Sequence, residues 1–99
     1  MIRVAYLIGA DDYYSIDVTF DLKGTSYADI MIYGSKHALA SHSFSSKDPH
    51  ELLSMILLDM DRYHVKYASI LQFKTEYKQQ VVDLERAENR AKSNGKVQS

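Results

Sequence analysis

The chain contains no cysteine. Thiol catalysis, cysteine-ligated zinc and iron–sulfur clusters are therefore excluded. Small secreted domains usually carry disulfides, so the expected compartment is the cytoplasm. Long apolar runs are missing as well. The longest, over 55–58, falls far short of the roughly 20 residues of a membrane span. Residues 1–8 alternate in polarity and are too few to form a secretory signal. No membrane association is expected. An excess of one charge sign is also lacking. The net charge of −1 exerts no general pull on nucleic acid or an anionic membrane, so nucleic acid is not an expected partner.

What remains is an ordinary globular composition. Of 99 residues, 45% are hydrophobic and 25% charged, which suits one folded domain. A chain of this length buries roughly 60 to 65% of its unfolded surface, and oligomerisation is a common remedy for the thin stability that follows. Charge is unevenly placed. Residues 1–49 carry a net −2 and residues 50–99 a net +1.

The first half reads as strands. Ile2, Val4, Tyr6 and Ile8 alternate with Arg3, Ala5 and Leu7, the two-residue period of a strand. Gly9-Ala10-Asp11-Asp12 is a turn. Tyr14, Ile16, Val18, Phe20 and Leu22 then share one face, with Tyr13, Ser15, Asp17, Thr19 and Asp21 on the other. Lys23-Gly24-Thr25 turns the chain again. Ala28, Ile30 and Ile32 oppose Tyr27, Asp29, Met31 and Tyr33. After Gly34-Ser35-Lys36, a weaker strand over 37–44 is rich in alanine and serine, which marks an edge. Such short connections join only antiparallel neighbours. The expectation is an α+β fold: a β-meander of three to four strands over 2–44, in order 1-2-3-4, followed by a long C-terminal helix.

That helix is expected over 49–93, completing one domain over 1–93 with a flexible tail at 94–99. Asp48 is an N-cap, Pro49 suits the first helical position, and Glu51 stands where a capping box places it. No glycine or proline interrupts residues 50–93. Asn94-Gly95 is a stop signal. An unbroken helix would measure about 65 Å, against about 25 to 35 Å for the strands. It must overhang the sheet or break, and 61–65 is the expected break. Counted as one helix, Ile56, Tyr63, Ile70, Tyr77, Leu84 and Ala91 form a seven-residue row, with Leu53, Met60, Tyr67, Lys74 and Val81 beside it. The part from Phe73 onward then lacks a surface to cover it.

Chemical motifs are weak. His50-Glu51 lacks the second histidine of a zincin helix, since Ser54 stands in its place. Asp59, Asp61 and His64 read as solvated helix charges rather than metal ligands. His42 lies between Ser41 and Ser43, but adjacent strand residues face opposite ways, so it cannot serve either hydroxyl as a base. No catalytic residue, metal site or cofactor site is expected, and the chain is read as a non-enzyme.

Two surfaces are expected to bind. The helix row Tyr63, Tyr67, Ile70, Tyr77, Val81 and Leu84 would self-associate as a homodimer or dock on a partner helix. The outer sheet face, with Tyr13, Asp17, Asp21, Asp29, Met31 and Tyr33, would meet a protein partner, since tyrosine and methionine are enriched at interfaces. The expected function is a protein–protein interaction module, an adaptor or an inhibitor that binds and blocks a larger complex. Phage and mobile-element accessory proteins are often of this kind. The alternative is a nucleic-acid-binding regulator using the basic end of a dimeric helix.

Overall fold

A computed structural model describes the backbone of residues 1–35 and 38–98 and the side chains of residues 1–35 and 38–91. The alternating segments form β1 (Ile2–Leu7), β2 (Tyr13–Thr19), β3 (Ser26–Tyr33) and β4 (Ala38–Ser46). They build one antiparallel sheet in the order β1-β2-β3-β4, as the short connections dictate. The register stacks Val4, Ile16, Ile30 and His42 across the sheet. Tyr14, Ile16, Val18, Ala28, Ile30 and Ile32 are buried on its inner face. β4 is the exception, since none of its residues is fully buried. Its pairing with β3 is irregular at Ile32/Tyr33. The expected first residue of this strand, His37, lies outside the described residues.

Asp48 accepts a hydrogen bond from the His50 N–H at 2.9 Å and caps α1 (Pro49–Arg62). Glu51 does not close a capping box directly. Its carboxylate accepts from the Ser46 hydroxyl, and that hydroxyl accepts from the Asp48 N–H. Ser46 thus relays the box.

The expected helix break is present at residues 63–66, between α1 and α2 (Tyr67–Gln98). The His64 N–H bonds the Asp61 carbonyl and the Val65 N–H bonds the Met60 carbonyl. These are the two bonds of a Schellman stop. His64 takes the left-handed conformation, φ 63°, where glycine is usual. Val65 then packs in the core with Met60. Of the expected helix end at Ser93 and tail over 94–99, the side chains lie outside those described, and the backbone is assigned to α2 as far as Gln98.

The reversal lays the helices side by side. α1 covers β3 and β4. α2 reaches the β1 end of the same face, where Gln80 accepts from the Met1 amino group and the Tyr77 and Phe20 rings meet edge to face with centroids 4.9 Å apart. Phe73, Tyr77 and Val81 complete the core.

Candidate functional site

The most polar feature of the interior is Asp59, only 4% exposed. It was expected as a solvated helix charge. Instead it lies on α1 seven residues after Leu52 and three after Ile56, both fully buried, so helical geometry carries it into the core. Its Oδ2 accepts from the Tyr14 hydroxyl at 2.6 Å and lies 2.8 Å from His42 Nε2. Tyr63 stacks on His42 with centroids 5.6 Å apart and tilts against Tyr14 at 6.0 Å. Burial, and then the bond to Asp59, push the Tyr14 phenol well above its usual titration range. One carboxyl oxygen thus joins β2, β4 and α1. Asp59 orients the imidazole as a catalytic carboxylate would, yet Ser41 and Ser43 project to the other face of the sheet. The arrangement is a clamp between elements.

The outer sheet face holds a shallow depression of about 530 Å³, lined by Ser15, Asp17, Asp29, Met31, Ser41 and Ser43 among others. Tyr13 and Tyr33 pair across β2 and β3 with their rings stacked at 5.5 Å. Asp17 and Asp29 stand directly opposite each other, a like-charge pair that costs stability. Arg3 relieves part of that, with its Nε 3.0 Å from Asp17. Both partners are exposed, so the ion pair itself contributes little.

A second hollow lies at the elbow of the two helices. Leu57, Leu58, Tyr67 and Ile70 line it, with Ser54 and Asp61 at its margin. Leu58 is 73% and Tyr67 74% exposed. These are the most exposed large apolar side chains among the described residues.

The structure separates the expected helix surface into four groups. Tyr67 and Ile70 meet at the elbow hollow, and Leu84 is exposed farther along α2. Tyr77 and Val81 are 0% and 1% exposed within this chain alone, so they are not a surface. Tyr77 also donates its hydroxyl to the Pro49 carbonyl. Tyr63 is half-buried against His42. The correction has one cause. The seven-residue rows assumed a continuous helix that overhangs the sheet, whereas the elbow turns α2 back, so Phe73, Tyr77 and Val81 are covered by the chain's own core.

On the sheet, Tyr13, Asp17, Asp29, Met31 and Tyr33 share the outer face as expected. Asp21 does not. It sits in the β2–β3 turn, where its side chain accepts from the Lys23 N–H and its own N–H donates to Ser26. A side chain at Gly24 would come within 2.6 Å of its carboxylate, which would have to turn aside. Sequence reasoning missed Asp59, Tyr14 and His42 as a set. The available signal was an aspartate in the angular window of the buried leucines and isoleucine of α1.

Among the described residues, no three His, Cys, Asp or Glu side chains gather as metal ligands would. No helix among them is long and apolar enough to cross a membrane. No protein-family model, curated protein or solved structure matches the chain.

Proposed function

We propose that this chain is a non-enzymatic protein–protein interaction module working in the cytoplasm, an adaptor or an inhibitor that binds and blocks a larger protein complex. The observation that supports the reading is the elbow hollow. A small chain that can bury Phe73, Tyr77 and Val81 leaves Leu58 and Tyr67 about three-quarters exposed beside Leu57 and Ile70. Contiguous exposed apolar side chains rimmed by polar ones mark interaction surfaces. The tyrosine-bearing outer face of the sheet is a second contact surface in this reading.

The test is affinity capture of the tagged chain from its native lysate, with nuclease present. The expected result is a stoichiometric protein partner, lost when Tyr67→Asp is introduced at the exposed start of α2. No partner, or equal capture by the variant, would reject the elbow as the binding surface.

A further inference from the structure

We propose that the free edge of β4 and the adjoining flank of α1 form a two-fold interface with a second copy of this chain. The inference deepens the interaction reading and rests on it, because it names one partner and places that partner on a surface that shares Leu58 with the elbow but not Tyr67.

The edge comes first. β4 is the longest strand of the sheet and borders solvent along one side. From Ala38 to Ser46 it carries no lysine, arginine, aspartate, glutamate or proline. Those are the residues that usually protect an edge from pairing. Its outward residues Ser41, Ser43 and Ser45 are small enough to admit a close neighbour.

The flank of α1 is self-complementary. Glu51, Met55, Leu58 and Arg62 are spaced by four, three and four residues and form one stripe. The stripe lies on the β4 side, since Glu51 bonds Ser46, while Met55, Leu58 and Arg62 line a hollow with Phe44. Its centre is apolar, with an acid at one end and a base at the other. Glu51 and Arg62 are exposed, and Arg62 has no ion-pair partner among the described residues. An antiparallel copy sets each Glu51 against the opposite Arg62 and the two apolar centres against each other.

The spacings agree. Paired strands lie about 4.8 Å apart. A two-fold axis through a β4–β4 pair, near Ser43, is then about 2.4 Å from each β4. An α1 axis centred over the two strands it covers, β3 and β4, stands about 4.8 Å from the two-fold axis. The two α1 helices would lie about 10 Å apart, inside the range of directly packed helices. Strand pairing and helix packing are satisfied by the same two-fold. The product is a continuous eight-stranded sheet with α1 against α1.

The test is sedimentation equilibrium of the full chain and three variants, with circular dichroism to monitor the fold. The wild type is expected to dimerise. Arg62→Glu, which opposes two glutamates twice over, should raise the dimer Kd by about tenfold or more. The exchanged pair Glu51→Arg/Arg62→Glu should restore it to within a few-fold. Leu58→Arg should also weaken the dimer, and keeps the test decisive if the exchanged pair fails to fold. A wild type that stays monomeric at millimolar concentration would overturn the proposal. So would a dimer indifferent to Arg62→Glu and Leu58→Arg, or one dissolved by Tyr67→Asp instead. A monomeric wild type that still captures a lysate partner through Tyr67 would overturn the pairing and leave the interaction reading standing.

Discussion

Removing the Asp59 carboxyl strands two donors at once, the fully buried Tyr14 hydroxyl and the part-buried His42 imidazole. A buried donor without a partner keeps its full desolvation cost, whereas a satisfied one contributes only about 1 kcal/mol. Asp59→Ala is therefore expected to lower the unfolding free energy by about 3 kcal/mol in urea titrations. Tyr14→Phe should cost about 1 kcal/mol, and the double variant less than the sum, because both changes break the same bond. His64 gives the opposite sign. Its left-handed backbone is disfavoured for any residue with a Cβ. His64→Gly should raise stability by up to about 1 kcal/mol, and a β-branched residue there should lower it. The sequence made these residues unequally legible. The turn role of Gly24 could be read from its neighbours. Asp59 could not be placed fully, because its partners lie 45 and 17 residues away in the chain and only the folded sheet brings them to it.

The elements differ in what holds them. The strands were legible because a period of two survives any arrangement that buries one face, and the break in the helix showed as polar residues interrupting an apolar run. What α2 packs against was not legible. Rows counted through 63–66 do hold Tyr77 and Val81 on the apolar seam, but an unbroken helix carries them past the sheet, and only the reversal at the elbow brings them onto the chain's own core. The buried row of α2 ends at Val81, and from Val82 to Ala91 every residue is exposed except Glu88. A chain truncated after Glu85 is accordingly expected to melt within a few degrees of the full chain by circular dichroism. Proline at Val81, by contrast, would break α2 at the end of its buried row, beside the bond from the Met1 amino group to Gln80, and should lower the melting temperature by well over that amount.

Two tyrosines tie the two helices to the rest of the molecule, and both hold their protons. Burial, then the bond to and charge of Asp59, raise the Tyr14 phenol, while burial, then the charge of Asp48, raises that of Tyr77. In the unfolded chain both ionise near 10.0. Above that pH the unfolded state binds fewer protons than the native state, so stability falls as pH rises. The expected slope is about 1.4 kcal/mol per pH unit for each tyrosine, with the stabilisation intact below pH 10. Urea titrations from pH 9 upward should show it, and Tyr77→Phe should remove one tyrosine's share. A slope unchanged in that variant would mean that Tyr77 ionises freely in the native state. The molecule is also long, 58 × 23 × 20 Å, with a Cα radius of gyration of 16.0 Å. A compact chain of this length would have about 13 Å. The excess comes from α2, which runs past the sheet.

That overhang makes α2 a lever. Beyond Val81 its arm extends about 25 Å, and its fulcrum is the Phe73, Tyr77, Val81 row. Close to the fulcrum, the Tyr77 hydroxyl grips the Pro49 carbonyl, in the first turn of α1, just after β4 ends. A sideways load applied at the tip is therefore delivered, with mechanical advantage, to the joint between the edge strand and α1.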